Sequence, residues 1–314
     1  MSKIAFVFPG QGSQTVGMGE DFAAQTPEGK EIFDKADEIL EDQLIKIMLQ
    51  GPKEELTLTY NAQPALVTAS IAAWKLLDKD GIKPDFTAGH SLGEYSALVA
   101  SGVLTFEDAV LAVRRRGEFM NDAVPSGKGA MAAIMGMESE PLREITESTT
   151  ADGDSVQIAN LNCPGQIVIS GTAKGVELAS AKAKEAGAKR AITLDVSGPF
   201  HSELMKPAAD KLKAVLDEMT LKDATIPVIP NVTAQPETES SRIRELLIRQ
   251  LYSPVRWEET VKALIENGTT VFVEIGPGKV LSGLIKKIDR SVKILSVSDM
   301  DSLKAAVEAL KEEV

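Results

Sequence analysis

Cysteine is nearly absent from this sequence, since Cys163 is the only one among 314 residues. A single thiol excludes an intrachain disulfide framework and a cysteine-rich zinc site. Long apolar runs are also missing, because no window approaches the roughly 18 uninterrupted apolar residues of a membrane span. The apolar stretch in the opening MSKIAFVFPGQG is too short for a signal sequence. We therefore expect a soluble, cytoplasmic protein with no membrane partner.

Basic residues are outnumbered by acidic ones. Lysine and arginine total 34 against 46 aspartate and glutamate residues, which gives a formal net charge of -12 at pH 7. A nucleic-acid-binding protein needs a basic face, so this balance argues against that class. An acidic partner must be met by a local basic patch against an unfavourable overall field. The hydrophobic fraction of 43% is ordinary, and the length suits one large domain or two modest ones.

A serine lies between two glycines in the segment FTAGHSLGEYSALVA (86–100). The pattern G-x-S-x-G is weak by itself, because chance produces it in about one chain in ten of this length. Its context is more specific, because an apolar strand precedes Ser91 and a helix follows it. A nucleophile elbow has this layout, and there the next backbone N–H, that of Leu92, points at the developing oxyanion. We predict that Ser91 is a nucleophile rather than a structural turn residue.

Histidine is scarce too, which narrows the choice of a base for Ser91. The chain has two histidines, and His90 adjoins the serine, where side chains at a tight turn usually point apart. His201, in VSGPFHSELM, lies between a predicted strand and a predicted helix, and we expect it to be the base. Asp195 is the nearest acid that could orient it, but it falls within the predicted strand, so we discount it.

The glycine loop FPGQGSQTVGMG (8–19) follows the first predicted strand. As a dinucleotide fingerprint it fails because Thr15 stands where the third glycine belongs, and as a phosphate loop it fails because Met18 replaces the lysine. Two interpretations remain open: a simple turn, or a loop in which a backbone N–H at Gln11 is a second oxyanion donor.

Three consecutive arginines occur in AVRRRGEFM (112–120), on a predicted helix. Successive helical residues are separated by about 100°, so the three point to different faces. One of them could therefore point inward while the other two stay solvated. A buried arginine is costly without an anion, so an inward arginine suggests an acidic group on the substrate. From the run alone, a fully solvated face is the commoner arrangement.

The order of predicted elements indicates a main domain with an insert. The main domain begins with a strand at Ile4–Phe8 and includes a helix capped by Thr105. After Pro125 the segments GAMAAIMGM, ESEPLREITEST, SVQIANLN, GQIVISG, AKGVELASAKAKEAG and AKRAITLDVS predict the order βαββαβ. That order is the ferredoxin-like arrangement. We predict an inserted small domain at 126–197, between main-domain segments 1–125 and 198–314, which resumes with a long helix over HSELMKPAADKLKAVLDEM.

Nine segments together resemble the malonyl-CoA:acyl carrier protein transacylase family of fatty acid synthesis. In order along nearly the whole chain they are FPGQGSQ, QPAL, AGHSLGEYSAL, RGEFM, GAMAAI, NCPGQIVISG, HSELMKPAA, RQLYSPVRW and EIGPGKVL. The resemblance implies an α/β fold, with an α/β-hydrolase-like main domain around a central parallel sheet and a ferredoxin-like insert. It implies an acyltransferase, an S-malonyltransferase without cofactor or metal.

The resemblance also implies a role for each site residue. Ser91 would be the acylated nucleophile, His201 its general base, and Arg116 the partner of the malonyl carboxylate. Gln11 and Leu92 would supply the backbone N–H groups of the oxyanion hole. Two further residues would act beside His201. The main-chain carbonyl of Gln250 would orient it in place of an acid, and the bulk of Phe200 would disfavour a methyl branch on the acyl group.

The expected partners are malonyl-CoA and holo-acyl carrier protein, with no nucleic acid, and we expect a monomer. Carrier proteins of this kind are acidic, so we predict a basic rim, with candidates Lys182, Lys184, Lys189, Arg190, Lys286 and Lys287. Two alternatives stay open. An esterase or thioesterase would use the same serine and histidine but pass the acyl group to water. A catalytically silent carrier-binding subunit would keep the fold without needing the two residues in hydrogen-bonding reach.

Overall fold

The computed structural model describes residues 2–311, and these contain nine β-strands and fourteen α-helices. The strands are β1 Lys3–Phe8, β2 Phe86–Gly89, β3 Gly129–Met135, β4 Val156–Cys163, β5 Gln166–Thr172, β6 Arg190–Thr193, β7 Val228–Ile229, β8 Thr269–Ile275 and β9 Lys293–Val297. The helices are α1 Glu20–Gln25, α2 Pro27–Leu40, α3 Leu44–Gln50, α4 Lys53–Thr57, α5 Thr59–Lys79, α6 Gly93–Ala100, α7 Phe106–Asp122, α8 Ser139–Ala151, α9 Ala173–Glu185, α10 Lys206–Glu218, α11 Ser240–Gln250, α12 Trp257–Glu266, α13 Val280–Ile288 and α14 Met300–Lys311. None of these helices is long and apolar enough to cross a membrane.

The main domain is built on a five-stranded sheet in the order β7-β2-β1-β8-β9. Every neighbouring pair in it is parallel. Helices cover both faces of a parallel sheet, so its strands are apolar along their whole length, and β1 is buried from Ile4 to Phe8. β2 is buried throughout, and its carboxyl end leads directly into the turn that carries Ser91.

The small domain is a four-stranded antiparallel sheet in the order β4-β5-β3-β6. Its elements follow the chain order βαββαβ, as predicted. Residues alternate between its two faces: Ile134 and Ile169 pack on α8 and α9, whereas Met131 and Val168 join the core of the main domain. The mixed α/β fold, with a parallel central sheet and a separate ferredoxin-like sheet, is therefore confirmed, while the boundaries 126–197 stay a prediction.

The edge strand β4 ties the small domain to the main domain. The N–H of Leu161 donates to the carbonyl of Val255 at 2.9 Å, and the N–H of Val255 donates to the carbonyl of Ala159 at 2.8 Å. Val255 follows α11 closely, so this contact brings the end of α11 beside β4. The nearby residue Asn160 lines the cavity described below.

Two predicted elements differ from the structure around 190–206. β6 ends at Thr193, so Asp195 does not lie in a strand. The expected long helix at His201 begins only at Lys206, after a short 3₁₀ turn at 203–205. His201 has a positive φ of 57°, which breaks helical geometry, and Pro207 fits the first turn of a helix that starts at Lys206. The histidine is therefore presented from a loop.

Candidate active site

Ser91 occupies a tight turn between β2 and α6, with a positive φ of 51°. The flanking glycines are required by close packing rather than by φ. A Cβ at Gly89 would lie 1.9 Å from the carbonyl carbon of Gly93, and a Cβ at Gly93 would lie 2.0 Å from the carbonyl oxygen of Phe8. Any side chain at either position would therefore push the turn apart, which explains the spacing that the sequence displays.

Asn231 holds this turn from the side. Its Oδ1 accepts from the backbone N–H of Ser91 at 2.7 Å, and its Nδ2 donates to the carbonyl of Gly89 at 2.6 Å. The side chain is fully buried, so both backbone groups would otherwise lack a partner, at a cost of about 1–3 kcal/mol each. Asn231 therefore stabilises the strained backbone that presents the serine.

His201 contacts the serine directly. Its Nε2 lies 2.8 Å from Ser91 Oγ, and its Nδ1 lies 2.8 Å from the main-chain oxygen of Gln250. A carbonyl can only accept, so Nδ1 carries the proton and Nε2 is free to accept from the hydroxyl. Burial, followed by the nearby charge of Arg116, lowers the pKa of His201 to about 3. The imidazole is thus neutral at physiological pH, as a base for Ser91 must be.

Arg116 is buried beside the same serine, with 1% of its surface exposed. Its Nη2 donates to Ser91 Oγ at 3.1 Å and to Gln250 Oε1 at 2.9 Å, and its Nη1 donates to Gln63 Oε1 at 2.8 Å. Its Nε is buried without a hydrogen-bond partner. The guanidinium therefore places a positive charge beside Ser91 Oγ while meeting only neutral acceptors.

The arginine run departs from the prediction at one position. Arg115 is exposed and pairs with Glu118, as expected of a solvated face. Arg114, however, is buried like Arg116, with 8% of its surface exposed. Its guanidinium binds Asn61 and Asp42 instead of a substrate site. Two of the three arginines are therefore internal, because buried Asn61 and the surface carboxylate of Asp42 supply partners for Arg114.

Gln250 is the residue through which the site is connected. Besides accepting from His201 through its main chain, it donates through Nε2 to the carbonyl of Ser91 at 3.0 Å and to Glu94 Oε2 at 2.8 Å. Glu94 Oε2 also accepts from the backbone N–H of Asn231 at 3.0 Å. Sequence reasoning missed Glu94, Asn231 and Gln63. A buried carboxyl inside the apolar α6 segment was the available signal for Glu94, and Gln63 opens the QPAL segment of the family resemblance. Nothing in the sequence marked Asn231.

These groups open on a cavity of about 180 Å³ between the two domains. The predicted oxyanion residues Gln11 and Leu92 line it together with Ser91, Arg116, Phe200 and His201. Phe200 is 6% exposed, so its ring forms part of the wall. Asp195 also lines the cavity, but His201 Nδ1 is bound to the Gln250 carbonyl, so the absence of an orienting acid follows from geometry rather than from a strand at 195.

His90 turns away from Ser91. Its Nε2 lies 2.8 Å from Asn162 Oδ1 on β4, and its ring packs at 5.7 Å from that of Trp257. Burial lowers the pKa of His90 as well. It therefore connects the elbow to the small domain, and its side chain points away from Ser91, as expected at a tight turn. No group of three or more His, Cys, Asp or Glu side chains that could hold a metal occurs within residues 2–311.

Comparison with known proteins places this geometry in a family. Residues 5–308 match the acyl transferase domain. The malonyl CoA-acyl carrier protein transacylase of Bacillus subtilis is 64% identical over 313 residues, covering 100% of this chain and 99% of that protein. Among solved structures, an acyl carrier protein S-malonyltransferase from Vibrio cholerae has a TM-score of 0.95 at 48% identity, covering 97% of this chain and 100% of the other. A malonyl-transacylase in complex with a type II polyketide synthase acyl-carrier protein has a TM-score of 0.95 at 46% identity, covering 98% and 100%.

Proposed function

This chain belongs to the acyl transferase family, among its malonyl-CoA:acyl carrier protein transacylases, and from that premise we propose that it transfers malonyl from malonyl-CoA to the phosphopantetheine thiol of acyl carrier protein. The product would be the chain-extender unit of fatty acid synthesis. The observation that carries the substrate class is the buried guanidinium of Arg116, 3.1 Å from Ser91 Oγ. A cation at that position favours an acyl group that ends in a carboxylate, because the charge is otherwise costly to bury.

The first half-reaction makes a malonyl ester on Ser91. His201 Nε2 takes the hydroxyl proton, Ser91 Oγ attacks the thioester carbon, and the carbon–sulfur bond breaks. The backbone N–H groups of Gln11 and Leu92 are the proposed donors to the tetrahedral oxyanion. The proton held by His201 then passes to the departing sulfur, so coenzyme A leaves as a thiol.

The second half-reaction reverses these steps with a different thiol. His201 takes the proton of the phosphopantetheine thiol, whose sulfur attacks the malonyl-serine ester, and the proton returns to Ser91 Oγ. Gln250 keeps Nδ1 of His201 protonated in both directions, through its main-chain carbonyl. The exchange is therefore ping-pong, and its two halves use the same residues.

Arg116 and Phe200 are the proposed determinants of the acyl group. Two donors of the guanidinium match the two oxygens of a carboxylate, so we expect malonyl to be preferred over acetyl. The ring of Phe200 adjoins His201 and forms a cavity wall, where it would limit the room for a methyl branch.

Intact-protein mass after brief mixing with malonyl-CoA, without carrier protein, tests this function. We expect a malonyl adduct on the native protein and none on Ser91→Ala. Many turnovers of free coenzyme A without a lasting adduct would indicate a hydrolase instead. Neither adduct nor release would indicate a carrier-binding protein without catalysis.

For the acyl carrier protein, we propose a docking surface formed by Lys189, Arg190, Lys286 and Lys287, here called the basic corner. Arg190 and Gln166 both pair with Met135 in the small sheet, and Lys287 Nζ donates to Gln166 Oε1 at 3.2 Å. The corner thus gathers at the β4–β5 turn, and β4 leads from there to the cavity wall. Lys182 lies apart, on α9, where it binds Asp152, directly after α8, and Lys184 shares that helix.

Charge reversal tests the basic corner. We expect Lys189→Glu combined with Lys287→Glu to raise KM for carrier protein and to leave KM for malonyl-CoA unchanged, because the acidic carrier is attracted by local positive charge. Lys182→Glu combined with Lys184→Glu is the matched control, because it makes the same total charge change on α9. Unchanged carrier kinetics for the double variant, or an equal effect of the control, would contradict the assignment.

The remaining expectations, a monomer acting in the cytoplasm, are also proposals. Ser91, His201 and Arg116 meet within one chain, so the proposed chemistry does not call on a second copy. A sedimentation measurement that gave a dimer at the enzyme's working concentration would contradict the monomer.

A further inference from the structure

Arg116 is a buried cation whose hydrogen-bond acceptors are all neutral. They are the amide oxygens of Gln63 and Gln250 and the hydroxyl of Ser91. Burial lowers the pKa of Arg116, as expected for a cation removed from water. A guanidinium stays charged in proteins nonetheless. The free enzyme must therefore hold a positive charge in a cavity that is empty of substrate, and a nearby negative charge would reduce that cost.

Glu94 is one amide group away from this cation. Its Oε2 accepts from Gln250 Nε2 at 2.8 Å, and Oε1 of the same amide accepts from Arg116 Nη2 at 2.9 Å. Glu94 is itself buried, with 1% of its surface exposed. The carboxylate cannot donate, so it also fixes which end of the Gln250 amide faces Arg116. Glu94 thus lies close enough for its charge to act on the guanidinium, without contacting it directly.

We propose that Glu94 is the standing counter-charge of Arg116 and that it takes up a proton when a malonyl carboxylate occupies the guanidinium. This inference rests on the proposed malonyl transfer. With the cavity empty, one carboxylate balances one guanidinium. With malonyl bound, two carboxylates would face a single buried cation, and protonation of Glu94 restores the balance. Glu94 is therefore a positioning and charge-balancing residue, since it does not touch the substrate.

The surroundings of Glu94 favour a proton equilibrium in the physiological range. Burial raises the pKa of Glu94 to about 7, against the lowering effects of its hydrogen bonds to Asn231 and Gln250 and of the Arg116 charge. The other titratable groups around it are Tyr95 on α6 itself, whose pKa burial raises, and His90 and His201, whose pKa values burial lowers. These three are neutral at pH 7. Of the other elements packed on α6, β2 has no titratable residue, and β1 and α5 carry theirs near their ends. α7 contributes Arg116 itself and the buried Arg114, which is bound to Asn61 and Asp42. The other charged residues of α7 lie at its ends or, like Arg115, pair with each other.

The acylation step itself neither releases nor takes up protons at pH 7, so proton uptake by Glu94 can be measured separately. The bond from Ser91 Oγ to the acyl carbon forms, the carbon–sulfur bond breaks, and the serine proton leaves on the sulfur of coenzyme A. A thiol has a pKa of about 8.5, so at pH 7 nearly all of the released coenzyme A keeps that proton. A proton that disappears from solution must therefore bind to the enzyme.

The test mixes enzyme and malonyl-CoA at pH 7 in weak buffer with a pH indicator. Parallel samples are quenched, and the malonyl-serine is counted by intact mass. We expect an uptake of about half a proton per adduct, because a group with a pKa near 7 is half ionised there. Glu94→Gln keeps the shape and an acceptor oxygen but cannot ionise, so its adduct should form with no uptake.

The outcomes separate the two proposals. If no malonyl adduct forms, the proposed function fails, and this inference fails with it. If the adduct forms without proton uptake, or if Glu94→Gln takes up as much as the native protein, the function stands and the role of Glu94 is refuted.

The native protein supplies a second measurement that does not depend on the variant's folding. Proton uptake links acylation to pH, so the equilibrium constant for malonyl-enzyme formation should fall by up to about tenfold per pH unit above pH 7. Acetyl-CoA brings no carboxylate, and its equilibrium should lack this dependence. Equal pH dependences for malonyl and acetyl would overturn the proposal.

Discussion

Alanine in place of Arg116 removes the proposed carboxylate clamp and leaves Ser91 and His201 unchanged in sequence. Each hydrogen bond from a charged donor contributes about 1.5–3 kcal/mol, so the two bonds to a carboxylate amount to about 3–6 kcal/mol. Since about 1.4 kcal/mol is a factor of ten, kcat/KM for malonyl-CoA should fall by about 10²- to 10⁴-fold. Acetyl-CoA never makes these bonds, so its kcat/KM should change far less.

The variant also loses stability, which the assay must separate from specificity. The buried amide oxygens of Gln63 and Gln250 each lose a donor, at a cost of about 1–3 kcal/mol each. Arg114→Ala is the matched control, because Arg114 is a buried neighbour on α7 with its own partners, Asn61 and Asp42. It should lower the free energy of unfolding while preserving the ratio of malonyl to acetyl activity.

The measurement is coenzyme A release in the first turnover, taken over a range of malonyl-CoA and acetyl-CoA concentrations for the native protein and both variants. If Arg116→Ala reduced both activities by the same factor, the arginine would be structural and the clamp would be refuted. If Arg114→Ala shifted the ratio equally, the specificity would not belong to Arg116 alone.

Two further predictions concern stability. The pKa of His201 is about 3 in the fold against an ordinary 6.5, so below about pH 6.5 the unfolded chain binds more protons, and the free energy of unfolding should fall toward pH 3. In urea unfolding at several pH values, His201→Asn should lose less of this free energy on acidification than the native protein. An identical loss would contradict the lowered pKa. Glu274 is fully buried and accepts from the N–H groups of Leu281 and Ser282 at the start of α13. Glu274→Ala leaves these two donors unpaired, at about 1–3 kcal/mol each, so it should lower Tm while the acylation rate of the folded protein stays the same. An unchanged Tm would refute the capping role.

The parts of the site that are local in sequence could be predicted. The spacing Gly89-x-Ser91-x-Gly93 reports a steric requirement, because each glycine faces backbone atoms that a Cβ would strike. The order of elements in the insert is also encoded locally, because each of its strands and helices corresponds to one continuous segment of the sequence. The scarcity of histidine left His201 as the only candidate base apart from His90, and so as the predicted base.

The parts that depend on distant contacts could not be predicted. Nothing near Asn231 in sequence indicates that its amide holds Ser91, 140 residues away. The burial of Arg114 is decided by Asn61 and Asp42, whose positions follow from how α7 packs on neighbouring helices. The loop geometry of His201 was hidden by a helical pattern that starts only at Lys206. In each case contacts between residues far apart in sequence determine the side chain's position, and local sequence propensity does not indicate it.

Gln250 shows why these distant contacts matter for mechanism. Its main chain fixes the tautomer of His201, and its side chain joins Arg116 to Glu94. The proposed base, His201, and the proposed carboxylate clamp, Arg116, therefore both contact Gln250 at the end of α11. A movement of that helix would affect both of them. A carboxylate that binds Arg116 must compete with, or add to, the Gln250 amide oxygen, and the charge of Glu94 sets the electrostatic cost of that change. In the proposed reaction, the acyl carboxylate would therefore bind next to the residue whose carbonyl aligns His201.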